Sequence, residues 1–260
     1  MLTKQQLTEL ALKSQAHQTV VAREYLQLII LNELFGHTFS RQLYFKGGTA
    51  IRLVYYGTRF SEDLDFTVHN KQAEFEPQLK HGLIQLQKLY GLSLKHIKPI
   101  AGLRYRLGAT WPVLPTPIFI RLDFSFREKV LDPQAVEIKT DYPIAMSNLV
   151  NVLSLDELLT EKIRAVLNRL KSRDLYDLWL LRRLGATLRR DLLNQKLALD
   201  GKVFDVAELK TRLKLFTGRG FKQDLGAFLP QGQRQNIEQL YHDIQLSLTQ
   251  WLNELERGVK

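Results

Sequence analysis

FKGGTAIRLVYYGTRFSEDLDF, residues 45–66, places two adjacent glycines and a threonine well ahead of two aspartates that stand two positions apart. Leu43–Lys46, just before the glycines, is predicted to be a short strand, and Thr49–Tyr56 after them has the composition of a helix. Backbone without side chains can approach a phosphate closely, and the first N–H groups of a helix can bind an anion. Gly47-Gly48-Thr49 is therefore a candidate phosphate-binding turn.

The two aspartates, Asp63 and Asp65, fall on a predicted strand in which apolar and polar residues alternate, so both carboxylates share one face. A second predicted strand, Ile118–Ser125, alternates in the same way and carries Asp123 away from its apolar face. Two acids along one strand face are about 7 Å apart at their Cα atoms, and their side chains can converge on two metal ions about 3.5 to 4 Å apart. Because Mg²⁺ prefers one or two carboxylates together with substrate phosphates, the three acids indicate a site for two Mg²⁺ ions.

The composition sets limits on the class of protein. The chain has 260 residues, 45% of them apolar, and a net charge of +10 with no cysteine. Its length allows one large domain or two modest ones. The lack of cysteine excludes disulfides and thiolate metal sites, and the sequence shows neither a secretory signal nor a membrane-spanning run. We therefore expect a cytoplasmic protein with no membrane segment, and the surplus of Lys and Arg favours a polyanionic partner.

Strand-rich sequence changes to helix-rich sequence near residues 148–151. We therefore expect an α+β fold, in which residues 1–150 form a domain of N-terminal helices and a mixed sheet and residues 151–260 form a helical domain. Within the first domain, residues 92–107 are predicted to be a hairpin that turns near Ala101-Gly102, and Val136–Lys139 one more strand.

The predicted hairpin carries basic residues. Arg104 and Arg106 alternate with apolar residues on one strand, and Lys95 and Lys98 lie on the other. This surface could follow a phosphate backbone. The same charges could equally be those of an ordinary solvated sheet face.

The helical part of the sequence has a lysine on an apolar face. Ser154 and Glu157 have the spacing of a capping box, which predicts a helix start before LDELLTEKIRAVLNRL, and Lys162 lies within the apolar stripe of that helix. Such a lysine either extends its ammonium group to the rim of the stripe or points into a cleft where an anionic ligand supplies the counter-charge.

Ser172 is a possible cap for a second helix, which carries Asp174 and Asp177 on one face. The helix dipole is a sufficient structural reason for Asp174 in the first turn, so the two acids alone do not indicate catalysis. Further helices are predicted for Phe204–Phe216 and Asn236–Leu255, with the TGRG sequence between them as a flexible connection.

Each of these elements is weak evidence alone, but their order is specific. A strand, Gly-Gly-hydroxyl, a helix, a D-x-D strand and a distant acidic strand form the arrangement by which a polymerase-β-like nucleotidyltransferase holds a nucleoside triphosphate. The motifs KGGTAIRLVYYGTRFSEDLDF, IRLDF and SLDELLTEKIRAVLNRLKSRDLYDLWLL resemble, in order, those of the AbiEii/AbiGii nucleotidyltransferase toxins of bacterial toxin–antitoxin and phage-defence modules. The resemblance runs from about Lys46 to Leu181, with Thr49 where serine is frequent.

The resemblance implies roles for the three acids and for the glycine turn. Asp63 and Asp65 would bind Mg²⁺, and Asp123 would be a further metal ligand or the general base. The triphosphate would be held by the turn and the lysine before it, namely Lys46, Gly47, Gly48 and Thr49.

The resemblance also implies roles for residues 151–260, which would complete the active-site cleft. Lys162 would neutralise the charge of the triphosphate or of the transition state. Asp174 and Asp177 match the R-D-x-x-D motif and would orient Lys162 or the base, with Asp174 among the catalytic residues and Asp177 in the nucleotide site.

The implied activity is Mg²⁺-dependent transfer of a nucleoside monophosphate from a nucleoside triphosphate to an RNA acceptor, with release of pyrophosphate. The expected acceptor is the 3′ end of tRNA, which suits the net charge of +10. A cognate antitoxin is a further expected partner. Two alternatives are a non-catalytic protein that uses the same fold to bind RNA or a partner, and a nucleotidyltransferase that modifies a small molecule.

Overall fold

The computed structural model describes residues 2–258 and divides into two compact units, Met1–Leu153 and Ser154–Lys260. We call the first the sheet unit and the second the helical unit. The sheet unit contains a seven-stranded mixed sheet, and the predicted α+β fold class is confirmed. Within residues 2–258, no helix is both long enough and apolar enough to cross a membrane.

The sheet unit contains four α-helices and seven strands in the described residues. In chain order these are α1 Lys4–Ser14, α2 Gln18–Gly36, β1 Leu43–Lys46, α3 Gly47–Leu53, β2 Asp63–Val68, α4 Gln72–Tyr90, β3 Ser93–His96, β4 Leu103–Ala109, β5 Ile118–Ser125, β6 Pro133–Val136 and β7 Val150–Leu153.

The strand order across the sheet is β3-β4-β5-β2-β1-β7-β6. The two strands that carry the selected aspartates, β2 and β5, are parallel neighbours, and β1 and β4 flank them as antiparallel partners. The chain therefore brings the glycine turn after β1, the D-x-D sequence of β2 and the third acid of β5 to the centre of one sheet.

The sheet has an apolar face and a polar face because its central strands alternate in the period of two that a pleated strand requires. On the apolar face, Phe66 of β2 and Phe124 of β5 stack with ring centroids 5.0 Å apart. Phe35 of α2 lies 6.5 Å from Phe66, and Phe75 of α4 lies 6.2 Å from Phe124. The core of the sheet unit therefore lies between this face and the helices, and the charged residues lie on the opposite face.

The hairpin predicted for residues 92–107 is confirmed as β3 and β4, which pair antiparallel, and Gly102 between them has φ +77°. Two strands differ from the sequence analysis. The strand predicted for Val136–Lys139 lies earlier, at Pro133–Val136, and β7 was not predicted at all. β7 pairs with β1 through Val152 and Phe45, so its place in the sheet depends on a partner far away in the sequence.

The helical unit contains seven α-helices in the described residues. These are α5 Leu155–Asn168, α6 Ser172–Arg183, α7 Arg190–Ala198, α8 Val206–Lys214, α9 Gly218–Leu225, α10 Gln231–Gln235 and α11 Ile237–Glu256. The start of α5 is as predicted, because Ser154 Oγ accepts a hydrogen bond of 3.1 Å from the backbone N–H of Glu157.

Two local predictions for the helical unit were wrong. Ser172 is the first residue of α6, and Lys171 takes the cap position that was predicted for Ser172. The TGRG sequence is not a connection, because Thr217 caps α9 by accepting a bond of 3.1 Å from Gly220 N–H.

Candidate active site

The three aspartates selected from the sequence lie together on the polar face of the sheet. Asp63 and Asp65 are on β2, and Asp123 of β5 is the direct register partner of Asp65. Paired residues on neighbouring strands point to the same face and are about 4.8 Å apart in the direction of the interstrand hydrogen bonds. The structure therefore places all three carboxylates in one small area.

Two arginines bind two of these carboxylates, those of Asp63 and Asp123. Arg121 donates from Nη2 to Asp63 Oδ2 and from Nε to Asp123 Oδ2, the second at 3.1 Å. Arg104 of β4 donates from Nε to Asp123 Oδ1. Burial by itself would lower the pKa of Arg121, but the charges of Asp63, Asp123 and Asp65 raise it above its usual value. Arg121 is therefore a permanent cation between the acids.

The sequence analysis missed Arg121 as part of the site, although the signal was present. Arg121 stands two residues before Asp123 in IRLDF, and the period of two puts both side chains on the same face. What the sequence did not show is the partner of Arg121, because Asp63 lies on another strand.

The glycines of the turn leave room for charged side chains. Gly47 has φ +80°, and a Cβ atom added there would lie 3.1 Å from both Cβ and Cγ of Asp65 and closer still to its Oδ2. A Cβ atom at Gly48 would lie 3.0 Å from Cζ of Arg59 and closer still to Nη2. The turn therefore lies directly against one of the selected acids and against a buried arginine.

Arg59 was not selected from the sequence. It is 4% exposed, and its Nη1 donates a bond of 3.0 Å to the carbonyl of Phe60. A guanidinium group buried against Gly48 adds positive charge to the turn, which is favourable for an anionic ligand.

Lys46 and Thr49, the other two residues assigned to the triphosphate, already have partners within the sheet unit. Thr49 is 1% exposed, and its hydroxyl donates to the backbone carbonyl of Asp63. This bond ties α3 to β2. Lys46 Nζ forms an ion pair with Glu128, and both side chains are largely buried. A phosphate bound by Lys46 would have to share it with that carboxylate.

The helical unit holds its own charged cluster around Lys162. Lys162 Nζ lies 2.9 Å from Asp174 Oδ1 and 2.8 Å from Asp177 Oδ2, and Arg169 Nε donates to Asp174 Oδ2 at 2.7 Å. Burial by itself would raise the pKa of Asp174, but the charges and hydrogen bonds of Lys162 and Arg169 hold it well below its usual value. Asp174 therefore stays ionised at neutral pH.

This cluster explains the lysine in the apolar stripe of α5. Lys162 is 8% exposed, so its ammonium group does not extend to a solvated edge of the apolar stripe. Its counter-charges come from Asp174 and Asp177 of α6. Asp177 is fully buried.

Asp63 and Asp65 have the chemistry that Mg²⁺ requires. They provide carboxylate oxygens on one strand face, and Mg²⁺ is commonly bound by one or two carboxylates together with substrate phosphates. Across residues 2–258, His, Cys, Asp and Glu side chains form no group of three or more that would hold a metal ion alone. The residues therefore fit a site that a metal ion and a nucleotide would fill together. Both carboxylate oxygens of Asp123 accept hydrogen bonds from arginines.

Solved structures with a similar fold include two bacterial proteins. MenT4, a nucleotidyltransferase toxin from Mycobacterium tuberculosis H37Rv, is 20% identical, with a TM-score of 0.64 over 96% of this chain and 90% of that chain. JHP933 from Helicobacter pylori is 19% identical, with a TM-score of 0.57 over 94% of this chain and 96% of that chain. At this level of identity the similarity concerns the fold.

The sequence itself gives the family. No curated protein matches the chain. The sequence profile of the family described as "Nucleotidyl transferase AbiEii toxin, Type IV TA system" matches residues 29–246, which is most of the chain and confirms the resemblance seen in the motifs. The chain therefore belongs to the AbiEii family and is a nucleotidyltransferase toxin of a type IV toxin–antitoxin system.

Proposed function

We propose that this nucleotidyltransferase is Mg²⁺-dependent and transfers a nucleoside monophosphate to an RNA acceptor, with the 3′ end of tRNA as the expected acceptor. The observation that carries the proposal is the position of Asp65, which lies directly against Gly47 on one side and beside Asp123 on the other. A phosphate-binding turn and carboxylates for a hard cation thus share one small area of the polar face.

In the proposed reaction, an acceptor hydroxyl oxygen forms a bond to the α-phosphorus, the bond from that phosphorus to the bridging oxygen breaks, and pyrophosphate leaves. Bound divalent ions would neutralise charge on the attacking and leaving oxygens. The turn at Gly47 and Gly48 would let the backbone approach the triphosphate, and Asp63 and Asp65 would hold the ions. Arg121 and Arg104 orient Asp123, which we assign as a further ligand or as the base that takes the proton of the acceptor hydroxyl.

The proposal includes Lys162 of the helical unit as a cation that offsets phosphate charge. Its ammonium group is fixed by Asp174 and Asp177 before any substrate binds. Preorganised charges of this kind stabilise a transition state more than mobile ones, because they need no reorganisation during the reaction. We assign Asp174 and Asp177 as positioning residues that act through Lys162.

An RNA acceptor is supported by charge. The net charge is +10, and the β3–β4 hairpin places Lys95 opposite Arg106 in register. Polyanions gain affinity from such surfaces by releasing counterions. The toxin–antitoxin family also implies a cognate antitoxin as a partner.

The test is incubation of the purified protein with total RNA, Mg²⁺ and each α-labelled nucleoside triphosphate in turn. We expect label in RNA, its loss on chelation with EDTA and its return when Mg²⁺ is added back. Asp63→Asn should abolish the transfer. Asp141→Asn is the matched control, because Asp141 is a highly exposed acid paired with Lys13.

Three results would count against the proposal. Label that appears in RNA equally with Asp63→Asn would show that the acids are not the site. Label that appears only in small molecules would favour the small-molecule transferase. Binding of RNA without transfer of any nucleotide, under every metal condition, would favour the RNA-binding alternative.

A further inference from the structure

We propose that Phe119, Arg106 and Lys95 form an acceptor strip on the polar face, where the last nucleotides of a single-stranded RNA bind and a base stacks on Phe119. This inference rests on the proposed function, because it specifies where the acceptor of that reaction binds. The strip lies outside the acidic site and contains none of the residues assigned to metal or triphosphate.

The register of the sheet places the basic residues in one row that ends at the acidic site. Lys95 of β3 pairs with Arg106 of β4, Arg106 pairs with Arg121 of β5, and Arg121 pairs with Asp63 of β2. The row crosses three strand spacings, or about 14 Å. An RNA backbone that follows these cations is therefore led to the carboxylates where we place the reaction.

Phe119 lies on the same face as Arg121, two residues earlier on β5, and is unusual there because it is 45% exposed. Its register partner is Gly108 of β4. A Cβ atom at Gly108 would lie 2.8 Å from Cε1 and 2.9 Å from Cδ1 of the ring. The glycine thus makes the space that the ring occupies, and the ring has a fixed position on the sheet.

Arg106 places a second flat group over this ring. Its guanidinium carbon lies 4.7 Å from the centroid of Phe119. Base stacking on aromatic side chains, assisted by arginine, and a positive groove along the backbone are the two features by which proteins bind single-stranded nucleic acid. The ring with its arginine and the row of cations lie together on three neighbouring strands, β3, β4 and β5.

A purely structural explanation accounts for only part of this arrangement. An aromatic ring over a glycine on a neighbouring strand stabilises a sheet, which explains the position of the ring. It does not explain why the exposed ring stands beside a row of cations that ends at Asp63. A single-stranded acceptor end uses the ring and the row together.

The test measures RNA binding apart from catalysis. The probe is a short, 5′-fluorescein-labelled single-stranded RNA, titrated by anisotropy against the full chain carrying Asp63→Asn, so that no transfer occurs during the titration. Phe119→Leu keeps apolar bulk over Gly108 and should weaken binding by about 5- to 150-fold, the value of one lost stacking contact. Phe119→Tyr should retain the affinity.

The basic residues are tested through the salt dependence of the same titration. Arg106→Gln and Lys95→Gln should each reduce the slope of log affinity against log salt by about 0.7, as expected for one phosphate contact on a single strand. The matched controls are Lys80→Gln and Leu89→Ala on α4, which remove an exposed charge and an exposed apolar side chain elsewhere. Both controls should bind RNA as the parent does.

The outcomes separate this inference from the proposed function. With Asp63 intact, Phe119→Leu should raise the KM for RNA and leave the KM for the nucleoside triphosphate unchanged. Unchanged RNA affinity in Phe119→Leu, or a lowered melting temperature with normal affinity, would overturn the strip even if transfer to RNA is observed. Failure of the parent enzyme to label any RNA would overturn the proposed function, and the anisotropy titration would still report on the strip.

Discussion

Replacement of Gly47 by alanine tests whether the glycine turn and Asp65 act as one unit. The backbone of Gly47 has φ +80°, which side chains rarely adopt, and an added Cβ atom would lie 3.1 Å from Cβ and Cγ of Asp65 and closer to its Oδ2. Alanine therefore has two separate effects. It strains the backbone, and it pushes on a carboxylate that we assign to the metal site.

The two effects have different sizes and different consequences. A left-handed backbone costs an ordinary residue about 1–2 kcal/mol, and each kcal/mol lowers the melting temperature of a chain of this size by about 2–4 °C. A displacement of a catalytic group by about 1 Å can lower the rate by about 100-fold, which is about 2.7 kcal/mol of activation free energy. The change in activity should therefore be much larger than the loss of stability explains.

Gly91→Ala is the matched control for Gly47→Ala. Gly91 ends α4 with φ +64°, and an added Cβ atom has nothing within 4 Å. Both variants should lose a similar amount in a thermal melt, and only Gly47→Ala should lose transfer of labelled nucleotide well below its melting temperature. Equal transfer rates for the two variants would show that the position of Asp65 does not depend on Gly47, and would refute the reasoning.

Three further predictions concern buried charges and titration. Lys196→Met should cost about 3–5 kcal/mol in urea unfolding, because Glu157, 2.7 Å away and fully buried, and Glu161, 3.0 Å away, both lose an ion pair with the lysine. Replacement of both Lys196 and Glu157 by apolar residues should recover much of that loss. Because its pKa is lowered in the folded state, ionised Asp174 stabilises the fold above the unfolded pKa of about 4, and this stabilisation is lost as the pH falls further. Asp174→Asn should therefore flatten the acid limb of a curve of unfolding free energy against pH. Burial, followed by the charge of Glu24, raises the pKa of Tyr142 in the folded state. The stability that neutral Tyr142 contributes should therefore be lost as the pH rises above the unfolded pKa of about 10. Tyr142→Phe should remove this loss of stability at alkaline pH.

The strands around the candidate site could be predicted from the sequence, because each of them has one buried face and one polar face. Leu43–Lys46 and Ile118–Ser125 form strands with the predicted bounds, and residues 63–68 form the strand that carries the D-x-D sequence. In such a strand apolar and polar residues alternate with a period of two, because successive side chains point to opposite faces. The three acids were found for the same reason.

β6 and β7 could not be placed in the same way. β7 reads VNVL and has three buried residues out of four, so it shows little alternation. β6 reads PQAV and lies at the edge of the sheet, where a proline is tolerated and side chains are exposed. The position of both strands is set by tertiary pairing, which local pattern does not report.

The ion-pair partners of the charged residues could not be predicted from the sequence either. The pattern placed Arg104 and Arg121 on polar strand faces, and it placed Lys162 on an apolar one, but it did not say what each cation touches. Those contacts join residues on different strands or different helices, such as Arg121 with Asp63. The acids of the site were therefore predicted from the sequence, whereas the place of Arg59 against Gly48 and the pairing of Arg121 with Asp63 were found only in the structure.

The arginines of the polar face also supply counter-charges to the acids of the candidate site. Two carboxylates on paired residues of neighbouring strands, about 5 Å apart, repel by roughly 3 kcal/mol at an effective dielectric constant of about 20. In this structure the paired acids are Asp65 and Asp123, and Arg121 and Arg104 offset the repulsion by binding Asp123. Arg121 also binds Asp63. The acids thus have counter-charges from the chain itself, unlike the ligands of a metal site whose metal drives folding. The counter-charges of Asp63 and Asp123 are therefore part of the folded sheet unit itself.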